Sequence, residues 1–267
     1  MIGFIGAGQM ARALAQGLVH ADIFSADQVW ASDPVAEARN AFTALLPEST
    51  TVDDNLELVQ QCRTVVLAVK PQQIESVIEA INSHLDDSHL VISIAAGIRL
   101  AYLAERLTRG SRLVRVMPNT PCLVGQGASA YALGRGANEA DGQFLDRLLS
   151  SVGMSVCVAE EQLDAVTAVS GSGPAFFCAF LQSLTTAGTE CGLPESSAAA
   201  LALQTMQGTA AYLQETAIAP DELIKRVSSP GGTTVAGLAA LEAGNLQDLL
   251  RATVTSARDR SIELGDR

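Results

Sequence analysis

The first 160 residues alternate short apolar segments with amphipathic segments of helical periodicity, and this alternation restricts the fold more than any other feature. Near-continuous apolar strands separated by helices indicate a parallel sheet covered on both faces. We predict strands at Ile2–Ile5, Gln28–Ala31, Thr64–Val69, Leu90–Ile94 and Arg112–Met117, and helices at Met10–His20, Val35–Leu46, Asn55–Cys62, Gln73–His84 and Leu100–Leu107. Strands at Ala128–Leu133 and Met154–Val158, flanking a helix near Glu139–Ser151, would extend the sheet.

From about residue 161 the strand pattern disappears. Helical periodicity is present at Pro174–Cys191, Glu195–Leu213, Asp221–Val227, Thr233–Ala243 and Leu246–Leu264, with Pro and Gly between these segments. Their many small residues allow close helix packing, which suits a dimer interface. We therefore predict a Rossmann-type α/β domain with a mostly parallel, doubly wound sheet at residues 1–160, and an all-α domain for substrate binding and dimerisation at residues 161–267.

Composition excludes several classes of partner. The net charge of −12 disfavours nucleic acid and anionic membrane surfaces. The five cysteines form no C-x-x-C pair, and His20, His84 and His89, all in segments that resemble surface helix or loop, lack ligand spacing, so no metal site is expected. No basic leader precedes the first apolar run and no segment is long enough to span a membrane, so we expect a cytoplasmic protein.

A glycine-rich turn follows the first predicted strand directly and leads into a helix. Its sequence is Gly6-Ala7-Gly8-Gln9-Met10-Ala11, with G-x-G-x-x-A spacing. Gly6 permits a tight turn, Gly8 lets the backbone approach a pyrophosphate, and the helix N-terminus offers unpaired N–H groups. Such a hexapeptide alone is a weak signal, but its place at the first strand of an alternating pattern predicts dinucleotide binding.

Asp33 lies at the end of the second predicted strand, where an acidic residue often accepts hydrogen bonds from the adenosine ribose and favours NAD. NADP sites instead carry small or basic groups nearby, and Arg39 follows six residues later. Asp33 could equally cap the next helix, since Asp-Pro is a common start signal. The choice between NADPH and NADH stays open on the sequence.

Further strand ends and two loops supply polar or glycine-rich segments. Lys70 could contact cofactor phosphates or a substrate carboxylate, or could be an ordinary solvated lysine. The strand-end segments are Ala68-Val69-Lys70-Pro71, Ala95-Ala96-Gly97 and Met117-Pro118-Asn119-Thr120-Pro121. The loops at 169–174 and 227–234 each precede a predicted helix and offer backbone N–H groups and hydroxyls to an anion, although simple Ser/Thr capping is the alternative for either alone.

Taken together, these segments resemble pyrroline-5-carboxylate reductase along essentially the whole chain. The most specific stretch is P-D-E-L-I-K-R-V-S-S-P-G-G-T-T-V-A-G-L-A-A-L-E at 220–242, and F-I-G-A-G-Q-M, A-V-K-P, S-I-A-A-G, M-P-N-T-P and A-V-S-G-S-G-P follow the family's order. The resemblance implies NAD(P)H-dependent reduction of 1-pyrroline-5-carboxylate to L-proline. Family members mostly prefer NADPH and some accept NADH. They form dimers through interlocked helical domains, and the dimers often assemble into decamers.

The resemblance also implies residue roles. The substrate carboxylate would be held by Ser229, Gly231, Gly232 and Thr233, with the Thr234 hydroxyl facing the ring nitrogen. The dinucleotide would contact Gly6, Ala7, Gly8, Gln9, Met10, Asp33, Asn55, Ala68, Val69, Lys70, Pro71, Ala95, Ala96 and Gly97. Three alternatives are kept: a β-hydroxyacid dehydrogenase, disfavoured because the helix at 174–182 lacks the Asn and Lys of that family; a reductase of another cyclic imine; and a non-catalytic dinucleotide sensor.

Overall fold

The computed structural model describes residues 1–107 and 110–265, and its first half is built on one sheet. The sheet order is β3-β2-β1-β4-β5-β6-β7-β8, parallel up to β6, with β7 antiparallel to β6 and β8 parallel to β7. The strands are β1 (Ile2–Ile5), β2 (Val29–Ser32), β3 (Thr50–Val52), β4 (Thr64–Leu67), β5 (Leu90–Ser93), β6 (Arg112–Met117), β7 (Gly127–Leu133) and β8 (Gly153–Cys157). The predicted mostly parallel Rossmann-type sheet is therefore confirmed.

Helices cover both faces of the sheet, each over its own apolar core. One face packs against α1 (Gln9–His20), α2 (Ala36–Leu45) and α6 (Glu139–Ser150), with Leu14 and Phe42 fully buried. The other packs against α3 (Asn55–Gln61), α4 (Ile74–Ile81) and α5 (Leu100–Arg106). Because parallel strands are buried on both faces, the strands are apolar at nearly every position, which is the pattern that made them visible in the sequence.

Two local expectations were wrong. Strand β3 was not predicted, because three half-buried residues, Thr50–Val52, produce no apolar run. His89 was expected at the surface, but it lies fully buried immediately before β5. Its Nδ1 is 2.8 Å from the Asp86 carboxylate, and its Nε2 lies 3.1 Å from the Arg63 guanidinium. These polar partners make burial of the imidazole tolerable.

The carboxyl-terminal half is helical, as predicted, but its first helix starts earlier than expected. Residues Leu163–Val166 (α7) continue through a π-helical segment, Thr167–Gly171, into α8 (Gly173–Glu190). Pro174 has no N–H to donate to the Ser170 carbonyl, and the wider π-helical turn accommodates that loss. The remaining helices are α9 (Glu195–Thr216), α10 (Pro220–Val227), α11 (Thr233–Ala243) and α12 (Leu246–Gly265).

The chain divides into two compact units. The first contains Met1–Ser172 together with the residues from Ala257 onward, and the second contains Gly173–Ser256. The predicted domain boundary followed residue 160, at the end of the strand pattern. The division by contacts comes twelve residues later, because α7 and the π-helical segment pack with the sheet domain, and it returns the end of α12 to the first unit.

The second unit exposes large apolar side chains and has little core of its own. Phe177 is 64% exposed and Leu201 is 58% exposed, while the buried hydrophobic residues of this unit are the small Ala198 and Ala202. By length and composition alone, Glu160–Glu190 could also cross a membrane, which differs from the expectation that no segment is long enough. The difference arises because α7 and α8 form one continuous helical stretch. A helix buried in an interface passes the same test.

A buried ionic cluster joins β6, α7 and the end of α12 within the first unit. Arg115 is 4% exposed, and its Nη1 donates to Glu160 Oε1 at 3.2 Å. Glu160 Oε1 also accepts from the Leu100 backbone N–H at 2.6 Å. Asp164 lies 4.0 Å from the Arg115 guanidinium and accepts from the Ser261 hydroxyl at 2.6 Å. Removing the arginine would leave the Glu160 carboxylate without its cation, whereas Asp164 would keep the Arg99 guanidinium 3.9 Å away.

We predict that Arg115→Leu lowers the free energy of unfolding by about 2–4 kcal/mol, since it leaves the partly buried Glu160 carboxylate unpaired and removes one of the two cations near Asp164. The matched control is Arg260→Gln, which breaks an exposed pair with Glu263 on α12 and should change stability by no more than about 0.5 kcal/mol. Denaturant unfolding at fixed protein concentration measures both. Equal effects of the two substitutions would contradict a structural role for the cluster.

Candidate functional site

The carboxyl ends of the parallel strands bring most of the predicted cofactor residues to one edge of the sheet. Ile5 of β1 is in register with Ser32 of β2 and with Leu67 of β4, and Leu67 is in register with Ser93 of β5. The segments that follow these strands include the Gly6 turn, Asp33, Ala68–Pro71 and Ala95–Gly97. In open α/β sheets, ligands bind at this edge, where the strand order reverses. Here the reversal lies between β1 and β4.

Gly6 forms the tight turn after β1. Its φ is +101°, and a Cβ on this residue would lie 2.8 Å from the Ala68 carbonyl oxygen. Its N–H donates to the Ser32 carbonyl at 2.7 Å, and the Ala68 N–H donates to the Ile5 carbonyl at 2.8 Å. The turn is therefore held between β2 and β4, with room only for glycine.

Gly8 leaves open the space in front of α1. It is the N-cap residue of α1, no side chain caps the helix there, and no atom lies within 4 Å of the position a Cβ would take. Gly8 and Gln9 are exposed and Met10 is half-buried. Free N–H groups at a helix N-terminus with open space before them suit a phosphate. The turn thus fits the pyrophosphate of a dinucleotide.

Asp33 uses its side chain within the protein. Its Oδ2 accepts from the Ala7 N–H at 3.0 Å, and its Oδ1 accepts from the Val35 N–H at 2.9 Å. The carboxylate therefore links the Gly6 turn to the start of α2. Arg39 of α2 donates from Nη1 to the Asp33 carbonyl oxygen at 2.6 Å. A guanidinium thus lies at the end of β2.

Asn55 begins α3, after β3, and its amide is oriented by a buried neighbour. Ser32, fully buried, donates from Oγ to Asn55 Oδ1 at 2.7 Å, while Asp54 caps α3 by accepting from the Leu56 N–H at 2.8 Å. This bond orients the Asn55 amide with Oδ1 toward Ser32, so that Nδ2 is the group that can donate to a ligand. The role of Ser32 was not predicted, because a serine inside an apolar strand gives no motif.

The other two strand ends differ in exposure. Lys70 is exposed and precedes the short 3₁₀ turn Pro71–Gln73, whereas Ala68 and Val69 are half-buried. Gly97 has a φ of +76°, and a Cβ there would lie 3.5 Å from the backbone of Leu264, in the last turn of α12. Ala96 is exposed beside it. Lys70 is the one charged residue of the segments Ala68–Pro71 and Ala95–Gly97, which otherwise offer backbone groups at this edge.

The three histidines lie away from this edge. His20 ends α1, and His84 and His89 precede β5, so all three are at the opposite, amino-terminal edge of the sheet. Burial raises the pKa of the Cys62 thiol, just after α3, to about 12, so this group stays protonated at neutral pH. The three histidines and Cys62 therefore offer no acid or nucleophile to the carboxyl edge.

The loop at 228–232, in the second unit, leads into α11 with an uncapped N-terminus. Gly231 has a φ of +71°, and the Gly232 N–H donates to the Ser229 carbonyl at 2.9 Å. Gly232 is the N-cap residue and no side chain caps α11. The Ser228 hydroxyl is buried without a hydrogen-bond partner among the described residues. Thr233 is exposed and Thr234 is half-buried at the first turn. Backbone donors and hydroxyls are thus free here, as an anion cradle requires.

The second predicted cradle, at 169–174, was wrong. These residues lie inside the continuous helical stretch, where the Ser172 N–H donates to the Thr167 carbonyl at 2.8 Å, so they form no helix N-terminus. The Ser170 carbonyl that Pro174 leaves free accepts instead from Asn119 Nδ2 at 3.1 Å. Asn119, after β6, also accepts from the Ala128 N–H at 2.9 Å. The proline four residues after Ser170 was the sequence feature that could have predicted a free Ser170 carbonyl and hence its hydrogen bond with Asn119.

Comparison with known protein families also distinguishes an amino-terminal and a carboxyl-terminal part of the chain. Residues 160–264 match a family model described as pyrroline-5-carboxylate reductase dimerisation. Residues 1–97 match a model described as NADP oxidoreductase, coenzyme F420-dependent. The first match covers the helices with exposed apolar faces and indicates a homo-oligomer. The second covers the strand ends from the Gly6 turn to Gly97.

Full-length relatives carry the same family name. The chain is 41% identical to pyrroline-5-carboxylate reductase from Pseudomonas aeruginosa, over 99% of this chain and 97% of the relative, and 38% identical to pyrroline-5-carboxylate reductase 3 from Rattus norvegicus, over 98% and 95%. A solved pyrroline-5-carboxylate reductase from Coxiella burnetii superposes with a TM-score of 0.93 at 33% identity, covering 98% and 97% of the two chains. The NADP-bound enzyme from Plasmodium falciparum gives 0.86 at 33% identity, covering 99% and 97%. The chain therefore belongs to the pyrroline-5-carboxylate reductase family of oxidoreductases.

Proposed function

We propose that this chain reduces 1-pyrroline-5-carboxylate to L-proline with NADPH, the last step of proline biosynthesis. The supporting observation is a pair of anion-binding devices made largely of backbone. One is the Gly6–Gly8 turn before α1, and the other is the Ser229–Thr233 loop before α11. A non-catalytic dinucleotide sensor needs only the first of these. A reductase of a carboxylated imine uses both.

In this proposal the residues at the sheet edge bind the dinucleotide. The free N–H groups at the N-terminus of α1, around Gly8 and Gln9, hold the pyrophosphate. The Asn55 amide, which Ser32 orients, donates a hydrogen bond to the adenosine part of the dinucleotide. Asp33 contributes by fixing the Gly6 turn through the Ala7 N–H. The remaining contacts come from Gly6, Ala7, Met10, Ala68, Val69, Lys70, Pro71, Ala95, Ala96 and Gly97.

The loop before α11 binds the substrate carboxylate without a lysine or arginine. Ser229 supplies a hydroxyl, Gly231 and Gly232 let the backbone approach the anion, and the Thr233 N–H lies at the positive end of α11. Thr234, one residue further into the helix, would direct its hydroxyl to the ring nitrogen. The nitrogen is thereby oriented while the carboxylate anchors the ring.

Bound NADPH supplies the hydride that adds to C5 of the imine. The substrate enters as the iminium, already protonated at nitrogen, so addition of the hydride yields the amine without a further proton. The protein's contribution is to hold the hydride-donating carbon of the nicotinamide within about 3–3.5 Å of C5 of the imine and to exclude water. This agrees with the histidines lying at the opposite edge of the sheet.

We further propose that the homo-oligomer is a dimer that assembles into a decamer, and that the protein works in the cytoplasm without a membrane. The exposed apolar faces of α8 and α9 support an extensive subunit interface. Sedimentation velocity tests the assembly, and a single species of dimer mass would contradict the decamer.

The reaction is tested by following 340 nm absorbance with NADPH, and separately with NADH, in the presence of pyrroline-5-carboxylate. We expect cofactor oxidation and formation of proline, with a lower kcat/KM for a six-membered cyclic imine carboxylate. Measurable NADPH binding with no oxidation would contradict the proposal and favour a sensor. A higher kcat/KM for the six-membered ring would contradict the assigned substrate.

Thr234→Ala should lower kcat/KM for pyrroline-5-carboxylate roughly 10- to 100-fold, since a hydrogen bond to a charged group contributes about 1.5–3 kcal/mol. The Kd of NADPH should stay within about twofold of the original value, because the hydroxyl faces the substrate. Thr234→Ser keeps the hydroxyl and serves as the matched control. Unchanged kinetics of Thr234→Ala would eliminate the assigned role.

Two glycine substitutions separate folding from cofactor binding. Gly6→Ala should lower the free energy of unfolding by about 1–3 kcal/mol, because its φ is positive and the Ala68 carbonyl blocks a Cβ. Gly8→Ala should leave stability within about 0.5 kcal/mol but weaken NADPH binding roughly 10- to 100-fold, because its methyl group enters the open space before α1. Denaturant unfolding and NADPH fluorescence titration measure the two effects. Undiminished NADPH affinity of Gly8→Ala would contradict the pyrophosphate site.

A further inference from the structure

We infer that the last turn of α12, anchored by Ser261, positions the turn Ala95–Gly97 after β5, the Gly97 turn, for the nicotinamide half of the cofactor. Ser261 is therefore a positioning residue, which acts on the dinucleotide through the backbone of another element. The inference rests on the proposed function, since it concerns how the same cofactor site is held in place.

The anchor is the only buried residue of α12, a helix whose residues Leu246–Gly265 the structure describes in full. Ser261 is 5% exposed, and its hydroxyl donates to Asp164 Oδ1 of α7 at 2.6 Å. The Asp164 carboxylate is itself buried, 4.0 Å from the Arg115 guanidinium and 3.9 Å from that of Arg99. A docked helix usually buries apolar side chains, but this one buries a hydroxyl against an anion. The position of the helix end therefore depends on a charge-assisted hydrogen bond.

Beyond this anchor, α12 and the Gly97 turn are packed backbone to backbone. A Cβ on Gly97 would lie 3.5 Å from the backbone carbonyl group of Leu264. A Cβ on Gly265 would lie 3.4 Å from the Gly97 carbonyl oxygen and 2.8 Å from Arg99 Nε. The Leu264 side chain is 45% exposed, so apolar burial adds little to this contact. Two glycines allow the close approach, and the Ser261 anchor maintains it.

The other end of the same segment is held by Glu160. Its Oε1 accepts from the Leu100 backbone N–H, at the start of α5, at 2.6 Å and from Arg115 Nη1 at 3.2 Å. Gly97, with a φ of +76°, lies three residues before Leu100. The residues between the Gly97 turn and α5 are therefore fixed at one end by Glu160 and at the other by the end of α12.

The Gly97 turn lies in the half of the sheet that binds the nicotinamide nucleotide. In a doubly wound sheet each half binds one nucleotide, and the adenosine ribose lies at the end of the second strand. β5 is on the other side of the reversal between β1 and β4. Ala96 is exposed in the turn, so its backbone is accessible to a ligand. A shift of the turn therefore changes contacts with the nicotinamide half but leaves the Gly6 turn and its pyrophosphate site intact.

Isothermal titration calorimetry on the assembled protein compares NADPH with 2′-phosphoadenosine 5′-diphosphate, a fragment that carries the adenosine half alone. Ser261→Ala should raise the Kd of NADPH roughly 3- to 10-fold and change that of the fragment by less than about twofold. Ser261→Thr keeps the hydroxyl and should give a smaller loss. A general loss of stability would weaken both ligands equally, since it lowers the fraction of folded protein.

Amide hydrogen exchange of the protein without cofactor gives a second measurement. Ser261→Ala should speed exchange at residues 96–100 while exchange at the Gly6 turn stays unchanged, because only the first segment loses its anchor.

Gly265→Val is an independent second variant, since it keeps the Ser261 anchor but places a side chain against Arg99 and the Gly97 carbonyl. It should give the same difference between NADPH and the fragment. Ser256→Ala is the matched control, because it makes the same change at an exposed serine of α12, and it should leave both dissociation constants unchanged.

Unchanged NADPH affinity in both variants, or an equal loss for NADPH and the fragment, would overturn the inference. Reduction of pyrroline-5-carboxylate would then still stand. A failed reductase assay together with the expected selective loss of NADPH affinity would instead refute only the proposed reaction and retain the role of Ser261.

Discussion

Three strands are joined at Gly6, and the cofactor edge of the protein depends on that junction. The Gly6 N–H bonds to the end of β2, the Ala68 N–H bonds to the end of β1, and a side chain on Gly6 would collide with the Ala68 carbonyl. A positive φ at this position directs the chain into α1 with its N–H groups facing open space. The same backbone geometry that connects these strands therefore leaves an open helix N-terminus of the kind that suits an anion, without any dedicated charged side chain.

The second unit, by contrast, leaves much of its apolar surface exposed. Its helices expose Phe177, Phe180 and Leu201, while the hydrophobic residues they bury are small alanines. Apolar surface contributes to stability only when it leaves water, about 25 cal/mol per Å². Such a unit reaches its full stability by burying these faces against a second copy, as expected for the matched dimerisation family.

The sequence was sufficient for the sheet and the glycine turn, because burial on both faces and a required positive φ leave direct traces in residue type. It was insufficient where hydrogen-bond partners distant in sequence decide whether a residue is buried or which secondary structure forms. Thr50–Val52 pairs with β2 without an apolar run, and His89 is buried because Asp86 and Arg63 satisfy it. The loop at 169–174 resembled a helix start, but Pro174 is accommodated by a π-helical turn whose free carbonyl Asn119 satisfies.

The acidic residue after β2 illustrates the same limit at the cofactor site. From the sequence, Asp33 could bind the adenosine ribose, which would favour NAD, or cap the next helix, which would leave the cofactor preference open. The structure shows a third arrangement, in which the carboxylate accepts from both the Gly6 turn and the start of α2. Residue type at a fingerprint position is therefore not enough to define specificity. What also matters is which backbone groups the carboxylate already binds.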